Sequence, residues 1–215
     1  MLLKLDTPHG TANIHLDPAD GAWAALVLGH GAGGGIGAPD LIAASSAARS
    51  QGVSIALVEQ PYRVSGRRSP PPINQLEAAW TAVIEQLFAS ELQHLPLIAG
   101  GRSLGARVAC RTAEGLDAVA VLCLAFPLQP PRRATGAAPA SRLAELDAVA
   151  VPTLVVQGER DPFGVPPARP GRTVARVRGD HSLRADIEAV GAAVRDWLPG
   201  VLPTPRLGAP GAPDH

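Results

Sequence analysis

The sequence predicts an α/β fold, a mostly parallel sheet with helices on both faces and no cap domain. Short runs rich in Val, Leu, Ile and Ala alternate along the chain with segments of helical periodicity. These runs are continuously apolar rather than alternating, as strands covered on both faces are. The composition is 46% hydrophobic but only 3% aromatic, so aliphatic strands must pack closely on Ala-rich helices. Strands that alternate with helices build a parallel sheet.

Residues 2–5 and 12–16 read as a leading hairpin. Ala24 to Leu28 is the first buried strand, followed by a short helix over Asp40 to Ser50 and a strand over Val53 to Val58. Leu76, Ala79, Trp80, Val83 and Leu87 share one helical stripe, widened by Ile84 and Phe88. Leu95 to Ala99 reads as a strand, Leu104 to Ala113 as a helix and Ala118 to Leu124 as a strand. One connecting helix around Leu143 to Val149 precedes the strand Thr153 to Val156. Thr173 to Val177 is shorter and more polar, which suits a place near an edge. Leu183, Ile187, Val190, Val194 and Trp197 mark the last helix. One domain therefore spans residues 1–198. Residues 199–215, rich in Pro and Gly with few large apolar side chains, read as a disordered tail.

Lys plus Arg and Asp plus Glu balance at 19 each, so no global field recruits nucleic acid or a membrane surface. No run approaches the ~20 apolar residues of a membrane span. Met1 to Gly10 holds too short an apolar stretch for a signal peptide, and Asp6 interrupts it. A cytoplasmic location is the expectation. Cys110 and Cys123 sit in apolar runs, where a free thiol acts as a small core hydrophobe. They outline neither a disulfide framework nor a metal site.

The chemistry concentrates at strand ends. After the strand ending near Ala99 comes Gly100-Gly101-Arg102-Ser103-Leu104-Gly105, which contains G-x-S-x-G. That turn lifts a serine hydroxyl above the end of a sheet, and a Cβ at either flanking glycine would strike a neighbouring element. The helix that follows aims its amides at a developing oxyanion. Small residues at Ala106, Ala109 and Ala113 let this helix sit close to the sheet.

The first buried strand runs into Gly29-His30-Gly31-Ala32-Gly33-Gly34-Gly35, where glycines let backbone N–H groups approach a substrate oxygen. The amides of Ala32 and Leu104 are the candidate oxyanion donors, with Gly33 as a substitute. A phosphate-binding reading fails because the segment lacks the P-loop Lys-Ser/Thr. His30 reads as a structural histidine that holds this loop.

Asp161 follows the strand Thr153 to Val156, on the edge where open α/β sheets carry their sites. Glu159 is its nearest competitor. His181 follows the strand Thr173 to Val177, so the chain order is Ser, acid, His. Ser103 is the candidate nucleophile, His181 the base and Asp161 the group that orients it. Arg63 and Arg102, with Arg67 and Arg68 nearby, are candidate contacts for a substrate carboxylate or phosphate. The same basic run also reads as a solvated loop.

These segments resemble the KANL3/Tex30-like group of α/β-hydrolases, related to the dienelactone hydrolase-like proteins. The likeness covers most of residues 20–198. It rests on Gly29 to Gly34, Gly100 to Arg107, Gly158-Glu159-Arg160-Asp161-Pro162-Phe163-Gly164 and Gly179-Asp180-His181-Ser182. Glu59-Gln60-Pro61-Tyr62-Arg63 with Gly66-Arg67-Arg68 adds to it. The resemblance implies the α/β-hydrolase fold and a catalytic triad at Ser103, Asp161 and His181. Dienelactone hydrolases carry a cysteine nucleophile, so their substrate does not transfer to a chain with Ser103.

The expected activity is that of a serine esterase or thioesterase acting on a small or exposed acyl substrate, with no cofactor and no metal. The alternative is a catalytically silent interaction module on the same fold.

Overall fold

The structure is a computed structural model that describes residues 1–130 and 140–201. The expected tail of residues 199–215 lies outside the described residues from position 202 onward. Eight strands occupy Leu2–Thr7 (β1), Gly10–Asp17 (β2), Ala24–Gly29 (β3), Val53–Glu59 (β4), Leu97–Arg102 (β5), Ala120–Leu124 (β6), Thr153–Gly158 (β7) and Arg172–Val177 (β8). Helices span Pro39–Arg49 (α1), Pro61–Val64 (α2), Ile73–Ala89 (α3), Leu104–Thr112 (α4), Leu143–Asp147 (α5) and Ile187–Trp197 (α6).

One sheet orders the strands β1-β2-β4-β3-β5-β6-β7-β8. β1 pairs with β2, and β2 with β4, antiparallel; every later pairing is parallel. The polar strand β8 lies at the sheet edge, where one face of pairing is open. β3 and β7 are buried at every position; β3 is continuously apolar, whereas β7 also buries the polar Thr153 and Gln157.

Two apolar layers enclose the sheet. Trp80, Val83 and Leu87 of α3 and Ala106 and Ala109 of α4 pack on one face with Val27, Ala99 and Val121. Leu41 and Ala44 of α1 and Val190 and Val194 of α6 pack on the other, against Leu26, Ile98 and Leu122. Cys110 and Cys123 are both buried as free thiols, with their sulfurs 3.4 Å apart.

Three elements depart from the sequence pattern. β5 runs on to Arg102, through two glycines that usually weaken a strand. A Cβ on Gly100 would lie 2.7 Å from the Leu122 carbonyl oxygen, so only glycine lets the strands approach there. The last helix begins at Ile187 instead of Leu183. Leu183 takes φ +54°, a 3₁₀ turn covers Arg184–Asp186, and the Asp186 carboxylate accepts from the Ala189 amide. The short helix α2 was not evident from periodicity, since four residues are too few to display it. Among the described residues, no helix is long and apolar enough to cross a membrane.

Candidate active site

Parallel pairing brings the C-terminal ends of β3, β5, β7 and β8 to one edge. Gly29 sits opposite Gly101, and Gly158 opposite Val177. Four loops therefore leave the sheet side by side, carrying the residues 30–38, Ser103, Asp161 and His181.

Ser103 lies in the turn between β5 and α4 with φ +51° and ψ −105°, a conformation that costs a non-glycine residue about 1–3 kcal/mol. Surrounding contacts impose it. The Ser103 amide donates to the Leu124 carbonyl at 2.9 Å, and the Ser103 carbonyl accepts from the Arg107 amide at 3.2 Å. A Cβ at Gly101 would lie 2.6 Å from the Gly29 oxygen, and one at Gly105 only 2.4 Å from it. The two motif glycines thus let β3, the turn and α4 close on one another.

His181 Nε2 lies 2.9 Å from Ser103 Oγ, and its Nδ1 lies 2.8 Å from Asp161 Oδ2. With Nδ1–H donating to the carboxylate, Nε2 is left to accept the serine proton. The buried Asp161 is held further: Oδ1 accepts from the Phe163 amide at 2.9 Å, and Oδ2 from Gln157 Nε2 at 2.7 Å. Phe163 also packs edge-on against the His181 ring, with centroids 4.5 Å apart. Gly158 permits the two loops to meet, since a Cβ there would lie 2.3 Å from the Asp180 carbonyl oxygen.

The competing acids point elsewhere. Glu159 is exposed. Asp180 accepts from both the amide and the hydroxyl of Ser182, which hold its carboxyl below the usual range. Gln157 and Phe163 were not singled out from sequence. The signal for Gln157 was present, because a polar amide interrupts the apolar run Leu154-Val155-Val156 four residues before the acid.

The glycine loop after β3 is anchored from below. Among the described residues, the amides of Ala32, Gly33 and Leu104 donate no hydrogen bond. Tyr62 Oη donates to the Ala32 carbonyl at 3.1 Å. The buried His30 accepts at Nε2 from the Gln60 amide, 3.1 Å away, so Nδ1 carries the proton toward the Gly31 oxygen at 2.9 Å. Burial lowers the His30 pKa, in agreement with this neutral tautomer.

The expected basic contacts divide. Arg63, in α2, lies at the C-terminal end of β4; its Nε is buried and, among the described residues, has no hydrogen-bond partner. Arg67 and Arg68 are exposed. Arg102, the other expected contact, is held by protein groups. Its guanidinium turns inward, with Nε donating to Asp40 Oδ2 at 2.8 Å and Nη2 to the His181 carbonyl at 3.0 Å. Burial pushes the Asp40 carboxyl above its ordinary value, an effect that Arg102 opposes. Among the described residues, no cluster of three or more His, Cys, Asp or Glu is placed to hold a metal.

Comparison with known proteins agrees with this architecture. A lidless α/β serine hydrolase from Xanthomonas campestris superposes with a TM-score of 0.75 at 19% identity, covering 95% of each chain. Est1E from Butyrivibrio proteoclasticus gives 0.72 at 15% identity over 93% of this chain and 98% of its own. Dienelactone hydrolase from Anabaena variabilis gives 0.72 at 16% identity over 92% of this chain and 95% of its own. No curated protein matches the chain in sequence. Residues 22–186 match the alpha/beta hydrolase domain family, and the chain belongs to that family.

Proposed function

We propose that the chain is a serine hydrolase that cleaves a small or exposed ester, thioester or related acyl bond. The observation that carries this reading is the continuous chain of contacts from Ser103 Oγ through His181 to Asp161, at 2.9 and 2.8 Å. A serine hydroxyl alone is a weak nucleophile; a neutral imidazole within hydrogen-bond reach activates it.

Ser103 Oγ attacks the acyl carbon while its proton passes to His181 Nε2. Asp161 Oδ2 stabilises the resulting imidazolium through Nδ1–H. The amides of Ala32 and Leu104, with Gly33 beside them, receive the negative charge on the carbonyl oxygen. Collapse expels the alcohol or thiol, which takes the proton from Nε2. Water then attacks the acyl-enzyme by the same route in reverse and releases the acid and free Ser103. Arg63 is the candidate contact for an anionic end of the substrate. Kinship with the KANL3/Tex30-like proteins is part of this reading and rests on the motif segments themselves.

Intact-mass analysis after fluorophosphonate treatment tests the reading without knowledge of the substrate. One adduct is expected on the wild-type chain and none on a folded Ser103→Ala variant. An adduct retained in Ser103→Ala overturns the assignment. A folded wild-type chain that takes no label supports the catalytically silent interaction module instead.

A further inference from the structure

We infer that Arg102, anchored by the buried Asp40, is a positioning residue that holds the base-bearing loop against the nucleophile and the oxyanion loop. The inference rests on the serine-hydrolase reading of Ser103 and His181. Arg102 precedes the nucleophile directly, so its backbone, as the last residue of β5, sets where Ser103 stands. Its side chain then reaches helix α1 and the His181 loop. Nε donates to Asp40, in the first turn of α1 that follows the glycine loop, and Nη2 donates to the backbone carbonyl of His181. Gly31 of the oxyanion loop rests against the same guanidinium, since a Cβ there would lie 2.8 Å from Nη1.

The His181 loop has reason to depend on this contact. Gly179 takes φ +118° and Leu183 φ +54°, so the loop turns sharply on either side of the base. His181 belongs to no helix or strand, and among the described residues Arg102 is the one hydrogen-bond donor to its carbonyl. Loss of that bond frees the peptide that carries the imidazole while leaving Ser103, Asp161 and the sheet in place. Displacing a catalytic group by about 1 Å can lower a rate by roughly 100-fold.

Asp40 gives the guanidinium its orientation. Its side chain is fully buried, whereas that of Arg102 is 17% exposed, so the carboxylate is the fixed member of the pair. One planar guanidinium serves an acceptor in helix α1 and one in the His181 loop at once. A lysine could neutralise Asp40 but lacks the fork to hold the His181 carbonyl in the same geometry.

That difference supplies the test. The rate of fluorophosphonate labelling at Ser103, steady-state kinetics on one neutral and one anionic ester, and thermal melting are measured for wild type, Arg102→Lys and the double variant Arg102→Gln/Asp40→Asn. The double variant removes both charges together and guards against a misfolded single variant. Labelled wild type is expected. Arg102→Lys should melt close to wild type, yet label and turn over about 10- to 100-fold more slowly with KM unchanged on both esters. The folded double variant should be slowed comparably.

Labelling of either folded variant at the wild-type rate overturns the inference. So does a loss confined to KM for the anionic ester, which would make Arg102 a substrate contact. A rate that falls only in proportion to the folded fraction would make the pair structural and also overturns it. Wild type that takes no label withdraws the serine-hydrolase reading, and the positioning role with it.

Discussion

Gln157 Nε2 and His181 Nδ1 converge on the same oxygen, Asp161 Oδ2, at 2.7 and 2.8 Å. The fully buried glutamine also reaches the carbonyls of Phe126 and Gly164, at 3.1 and 3.0 Å. One amide thus ties the end of β6, the acid loop and the carboxylate together. Replacing it with a near-isosteric leucine should lower kcat roughly 10- to 100-fold with little change in KM, since a hydrogen bond to a charged group is worth about 1.5–3 kcal/mol. Steady-state kinetics on a p-nitrophenyl ester would read this, and an unchanged kcat would reduce Gln157 to a purely structural part.

Asp161 and Asp180 are separated by a pair of substitutions. Asp161→Asn should reduce kcat by about 10²- to 10⁴-fold, because the amide favours the wrong histidine tautomer. Asp180→Asn should have a small effect, since that carboxylate is turned to Ser182. The reverse ranking would move the acid of the site to Asp180.

The elbow glycines are a packing requirement. Gly105→Ala places a methyl group 2.4 Å from the Gly29 oxygen and 2.9 Å from the His30 oxygen, both backbone atoms. A loss of at least about 1–3 kcal/mol is expected in a denaturant melt. Gly35→Ala meets nothing within 4 Å and has no positive φ, so it should stay within about 0.5 kcal/mol of wild type. Equal effects at the two positions would contradict the close approach of α4 to β3.

His30 links stability to pH. Burial holds its folded pKa below the usual value, while the unfolded chain titrates near 6.5. As pH falls through about 6.5, the unfolded state takes up a proton that the folded state refuses. The stability contributed by neutral His30 is therefore full above that pH and lost below it, by at most about 1.4 kcal/mol per pH unit. Urea melts between pH 7.5 and 5 should show a shallower decline for His30→Gln than for wild type. Parallel slopes would mean that His30 charges in place.

Acyl preference turns on the connection between β6 and β7, where the described residues hold one small helix, α5. A long acyl chain left outside the protein forgoes ~0.8 kcal/mol of binding for each unburied CH₂. On p-nitrophenyl esters, kcat/KM for acetate or butyrate should exceed that for laurate. A steady rise out to laurate would instead require an acyl tunnel.

Local pattern was enough for the fold class and for the order of Ser103, Asp161 and His181. Continuous apolar runs, helical stripes and glycine spacing are short-range properties, and each of these residues follows the strand that presents it. Periodicity also placed α3 and the leading hairpin within a few residues of their observed ends. What local pattern left open was decided by contacts across the chain. β5 passes through Gly100 and Gly101 because β3 and β6 press on both sides, which no propensity for glycine records. Asp40 reads as an ordinary acidic residue at a helix start, and Arg102 as a cation beside a nucleophile. Their partnership spans 62 residues, and that of Arg102 with His181 spans 79. Only the closure of the parallel sheet brings these three groups together, because a buried charge takes its partner from whatever the fold sets against it.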